Sequence, residues 1–105
     1  MCIRDRPNTV LFTKGYGYKL LKRNRECGSS DEFLGTVDSA LECATWCQMI
    51  KGCKYFIVGN NGGSKQICSW EKTSSQNCPE GWERNAFDFY AMYGKYCNTR
   101  NYLVL

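Results

Sequence analysis

Within "ECATWCQMIKGCKYF" (residues 42–56), Cys43, Cys47 and Cys53 fall inside eleven positions. Thiols this close can ligate a metal, shuttle electrons or pair as disulfides. A zinc site ordinarily uses two-residue knuckles with a second matching pair, or histidines, and this chain has no histidine. A thioredoxin-type centre places two residues between its cysteines. Here three residues separate Cys43 from Cys47, and five separate Cys47 from Cys53. Disulfides are the reading that remains. Eight cysteines among 105 residues is several times ordinary usage and points to an oxidising, extracellular or cell-surface setting.

Other residue types offer less. Glu80, Glu83 and Asp88 could suggest the paired carboxylates of glycoside hydrolysis. In a domain this small, with no sizeable cleft expected, they read as surface charges. No nucleophile elbow, phosphate loop or metal signature occurs, so the expectation is a non-catalytic protein without cofactor or bound metal. Binding is the better prospect. Trp70 and Trp82 read first as core residues, and second as flat apolar platforms against which a sugar ring could stack. Asn60, Asn61 and Ser64, in the glycine-rich "NNGGS", offer polar groups suited to hydroxyl recognition, although a plain hairpin tip is the simpler reading. The net charge of +4 is modest. The basic run "KLLKRNR" (19–25) reads as a strand edge defended by charge, with weak attraction to acidic glycans or lipid headgroups as the lesser reading. No nucleic-acid-binding module accompanies it. No run of eighteen apolar residues occurs, so no membrane insertion is expected.

These residues need a scaffold, and the length allows one domain. "GYKLLKRN" (17–24) reads as a first strand, followed by a turn-rich stretch, "CGSSDEFLGTVD" (27–38). Ser39 with Glu42 fits a capping box, so a helix is expected from Ala40 to about Ile50. Gly52 is placed to end it in a left-handed conformation. "KYFIVG" (54–59) and "KQICSWEK" (65–72) form a hairpin around the 60–64 loop. On the second of these strands, alternation puts Trp70 on the core face and Glu71 outside. A loop (73–82) then leads to a last strand, "AFDFYAMY" (86–93). The fold class is α+β: an antiparallel sheet with one helix packed across it.

That arrangement pairs the cysteines. Cys53 follows the helix stop and folds back onto Cys47. Cys43, one turn earlier on the same helix face, reaches Cys68 in the hairpin. Cys27 ends the first strand and Cys78 precedes the last, so antiparallel neighbours bring these two together. Taken singly, loops of these lengths are worth about 2.4, 3.5 and 4 kcal/mol in the chain-entropy model. Nesting makes the joint effect smaller than the sum, but the total still rivals the roughly 5–15 kcal/mol net stability of a domain. Cys97 is left unpaired or paired outside the domain.

The opening "MCIRDR" (1–6) reads as a translated sequencing-adapter end and is set aside, as a fusion scar would be. Cys2 goes with it. Residues 7–15 are then an N-terminal flank, 16–93 the domain, and 94–105 a linker or the start of a following repeat.

Two stretches, "LGTVDSALECATWCQMIKGCKYF" and "CSWEKTSSQNCPEGWERNAFDFY", resemble the PAN/apple superfamily, particularly the PAN-like repeats of large secreted or surface proteins of marine protists. The likeness spans roughly Tyr18 to Met92. It rests on the cysteine spacing, on Tyr55 and Phe56 after Cys53, and on "CPEGW…DFY". The resemblance implies a helix pinned to a central antiparallel sheet by two bridges, in agreement with Cys43–Cys68 and Cys47–Cys53. It departs from vertebrate apple domains in the outer pair, because Cys27 follows the first strand where theirs precedes it. The family implies a module recognising carbohydrate or protein, one of several copies on an adhesion-type chain. The alternatives are a structural spacer repeat without its own ligand, or a small secreted cysteine-rich effector. A binding module should expose a contiguous apolar patch, whereas a spacer should not.

Overall fold

A computed structural model describes residues 9–13, 16–61 and 66–93. Ser64 and Cys97 lie outside the described residues. The described residues fold into a small sheet-rich domain with one helix and three disulfides.

Six antiparallel strands form the main sheet. They are β1 (Thr9–Thr13), β2 (Tyr16–Lys22), β4 (Asp31–Val37), β5 (Tyr55–Gly59), β6 (Gln66–Glu71) and β8 (Phe87–Tyr93), in the order β1-β2-β8-β5-β6-β4. Two short strands, β3 (Arg25–Cys27) and β7 (Trp82–Arg84), pair antiparallel as a separate ribbon. The one helix among the described residues, α1 (Ala40–Gln48), packs on β4, β5 and β6. The strand β1 falls inside the stretch read as a flank, and it pairs with β2.

Residue alternation gives each sheet face its own core. On the helix side, Val37, Phe56, Val58 and Cys68 pack with Cys43, Ala44 and Cys47 of α1. Phe56 stacks on Tyr90 with ring centroids 4.9 Å apart, and Tyr18 meets both rings edge-on. On the opposite side, Ile57 and Phe89 pack with Cys27 and Cys78 beneath the β3/β7 ribbon. Both faces of the central strand β5 are therefore covered, which is why "YFIVG" is apolar without a break.

Several sequence expectations change. The turn-rich stretch 27–38 contains β4, a full-length strand pairing with β6. Its polar and glycine content suits the outer position it occupies in the sheet, and a register irregularity between Phe33 and Gly35 accommodates the extra residue. The expected strand 17–24 ends at Lys22, and Asn24, with φ of 58°, turns the chain out of the main sheet and into β3. The stretch 73–82 read as a loop runs into β7 at Trp82, a strand the sequence reading missed. The cap forms at the expected residues: the Glu42 amide donates to Ser39 Oγ at 3.3 Å, while Glu42 Oε1 accepts at 2.8 Å from the Asp38 amide, one residue before the Ser39 amide that a capping box would use. The helix ends at Gln48, however, before Gly52. Met49 and Ile50 instead donate to the carbonyls three residues back, a tighter turn that brings Cys53 under Cys47. Gly52, at φ +90°, serves this later turn.

Candidate functional site

Three disulfides clamp the layers together. Cys43–Cys68 ties the helix to β6, Cys47–Cys53 ties its last turn to the approach to β5, and Cys27–Cys78 anchors the ribbon, with Cα separations of 5.6, 5.4 and 5.6 Å. All six sulfurs are thus committed to structure. Cys27 and Cys78 lie near Glu80, but as a disulfide they offer no thiolate to a metal.

The two candidate indoles lie in different cores. Trp70 packs against the helix-side cluster, and Lys72 Nζ sits 4.6 Å from its ring centroid. The same ammonium pairs with Glu32 at 3.1 Å. Trp82 packs against the ribbon-side cluster, edge-on to Phe89 at 4.9 Å, with Lys22 Nζ 5.3 Å from its ring. Being on opposite faces, the two rings cannot form one sugar platform, and a lysine flanks each of them.

Asn60 is likewise engaged within the fold. Its Nδ2 donates to Asp88 Oδ1 at 2.7 Å and to Asn24 Oδ1 at 2.9 Å, while the Asn24 amide donates to the same Asp88 oxygen at 3.0 Å. Arg23 adds a distant ion pair to Asp88 at 3.7 Å. Asp88, read from sequence as a surface charge, is in fact buried, and it latches the β2–β3 corner to the end of β5. Asn61 is exposed on the following turn.

Two features escaped the sequence reading. The first is apolar. Phe33 is 63% exposed and Ile67 is 45% exposed. Register places Phe33 opposite Ser69 and Thr36 opposite Ile67, so Phe33 and Ile67 are diagonal neighbours on one face. That spacing lies within reach of an aromatic side chain. The face is the one opposite the helix, on the β4–β6 half of the sheet.

The second is acidic. Glu71, expected outside, is 0% exposed. Alternation does turn it away from the helix, but the loop before β4 covers that side as well. Ser29 Oγ donates to Glu71 Oε2 at 2.5 Å, and Glu71 Oε1 has no hydrogen-bond partner. Asp31 is its direct cross-strand partner. Carboxylate oxygens of Glu26, Asp31 and Glu71 all lie within 4.8 Å of one another. Burial pushes the Glu71 carboxyl up to about 8, and the charges acting on it, those of Asp31, Glu26 and Glu80, are all acidic and push the same way. The Glu26 carboxyl is also raised, mainly by burial, and less by Asp31 and Glu83. Asn85 Nδ2 donates to Glu26 Oε1, while the buried Asn85 Oδ1 has no partner.

Among the described residues, no helix is long and apolar enough to cross a membrane. Comparison with protein-family models, with curated proteins and with solved structures produced no match for this chain.

Proposed function

We propose that the chain is a non-catalytic extracellular recognition module of the PAN/apple type. It binds a protein or carbohydrate ligand and works as one repeat of a larger adhesion-type protein. The observation that carries this reading is the open apolar pair Phe33 and Ile67 on the β4–β6 face. Two large exposed apolar groups on one face of a sheet braced by three disulfides offer a starting point for a docking surface. Three structural disulfides also support an oxidising compartment. Of the two ligand classes, the patch favours protein. It combines an aromatic and a branched aliphatic group beside the outer strand β4, where a partner strand could add to the sheet.

The test is a surface-protein array and a glycan array probed with oxidised, refolded protein. A saturable ligand is expected, and the double substitution Phe33→Ser with Ile67→Ser should weaken binding at least tenfold while leaving the fold intact. A second reading, the ligandless spacer repeat, draws on the internal engagement of Asn60 and the lysine-flanked positions of Trp70 and Trp82. A clean null on both arrays with verified disulfides would favour it.

A further inference from the structure

We propose that the carboxylates of Glu26, Asp31 and Glu71 form a binding site for a hard divalent cation, calcium in the first instance. Three strands converge to build it: Glu26 comes from β3, Asp31 from the start of β4 and Glu71 from the end of β6. Calcium takes oxygen ligands at about 2.3–2.6 Å, so two oxygens sharing one ion lie at most about 5 Å apart. The mutual limit of 4.8 Å among these three carboxylates meets that condition.

Proximity of acids alone would be a weak argument. The second observation is Glu71 itself: a wholly buried side chain that gives one oxygen to the cluster, with Oε2 held by Ser29 and Oε1 unpartnered. A buried acceptor without a partner costs roughly 1–3 kcal/mol, and more when charged, so such groups are retained where something meets them. Asp31, Glu26 and Glu80 all act on Glu71 in the same sense, so among the described residues the charges brought to this point are repulsive. A divalent ion would remove the repulsion and satisfy the orphaned oxygen together.

The donor set also selects the metal class. Carboxylate oxygens without imidazole or thiolate suit calcium, magnesium or manganese over zinc or copper. Calcium is favoured within that group because it tolerates irregular geometry, whereas magnesium demands a near-ideal octahedron. This inference stands apart from the recognition reading: a cation site could exist in a spacer repeat, and a ligand could bind without one.

The test is calorimetric titration of calcium chloride into oxidised, chelator-treated full-length chain. One site is expected, in the roughly 10⁻⁴–10⁻³ M range of extracellular modules. Affinity should fall at least tenfold in Glu71→Gln and in Asp31→Asn. It should be unchanged in Glu32→Gln, whose carboxylate pairs with Lys72 away from the cluster. Carboxyl-carbon NMR of the wild-type protein decides the matter without relying on any variant to fold. Calcium should shift the side-chain carboxyl resonances of Glu26, Asp31 and Glu71. Absence of saturable binding to about 10 mM, shifts confined to other carboxylates, or wild-type affinity in folded Glu71→Gln would each overturn the assignment, leaving protons as the only neutralising species.

Discussion

The indole of Trp46 occupies the space a side chain at Gly35 would need: a Cβ there would lie 2.7 Å from Trp46 Cζ3 and 2.8 Å from Cη2. This contact sets how closely α1 lies on β4. Gly35 also holds φ at +147°, a conformation that side chains other than glycine's rarely adopt. Gly35→Ala therefore combines overpacking with backbone strain and should cost about 2–4 kcal/mol, read from the urea midpoint of the oxidised protein. Adding Trp46→Leu should recover part of the loss. Simple additivity of the two substitutions would show that they do not share this contact.

Burial of Glu71 makes stability depend on pH in an unusual direction for a carboxyl. Its folded value of about 8 lies above its ordinary 4.5, so between these limits the folded state holds a proton that the unfolded chain releases. The stabilisation is fully present below about pH 4.5 and disappears as pH rises through about 8. The whole window is worth at most about 5 kcal/mol. Denaturant unfolding in the presence of chelator should show this decline, with Glu26 adding to it in the same sense. Glu71→Gln should flatten the profile. An equally steep profile in that variant would place the titration elsewhere.

Asn60 was a candidate for hydroxyl recognition, but its geometry assigns it to the fold. Its amide donates at 2.7 Å to the buried Asp88 carboxylate, and hydrogen bonds to a charged group contribute about 1.5–3 kcal/mol. Asn60→Ala should therefore destabilise by about 1–3 kcal/mol. Asn60→Asp should do at least as much harm, because it sets a second acid against Asp88. Unchanged stability in both variants would return Asn60 to the list of ligand contacts.

What could be read in the sequence was mostly local. Ser39 and Glu42 mark the helix start because capping is a matter of neighbouring residues. The spacing of Cys43, Cys47 and Cys53 implies a shared helix face and a fold-back, and the structure joins these cysteines as that geometry suggested. Cys27 and Cys78 also meet, though the strand that carries Cys27 is a separate one paired with β7. Long-range covering was not legible. Alternation correctly turned Glu71 away from the helix, but nothing near Glu71 in sequence says that Ser29, forty-two residues earlier, closes over it. The strand β4 was hidden for a related reason. An outer strand carries Asp31, Glu32 and Gly35 without penalty and so looks like a turn. The Phe33–Ile67 pair needed the β4–β6 register, which exists only once β4 is recognised as a strand.

The three bridges should differ in worth according to the chain they constrain. Cys27–Cys78 spans 51 residues, Cys43–Cys68 spans 25 and Cys47–Cys53 spans 6. Loop-closure entropy alone ranks their removal at about 4, 3.5 and 2.4 kcal/mol. Packing alters that order. Cys43, Cys68 and Cys47 are wholly buried in the helix-side core and Cys53 nearly so, so both of these alanine pairs also leave a cavity, but the Cys47–Cys53 loop closes on a turn that retains backbone hydrogen bonds of its own. The expected order of destabilisation for paired alanine substitutions is Cys43–Cys68 at least equal to Cys27–Cys78, with Cys47–Cys53 clearly the mildest. Thermal unfolding of the three double variants, each checked by mass for retention of the other two of these bridges, measures this directly. A Cys47–Cys53 variant as damaged as the other two would show that these sulfurs stabilise chiefly through packing in the helix-side core, and that chain length between them matters little.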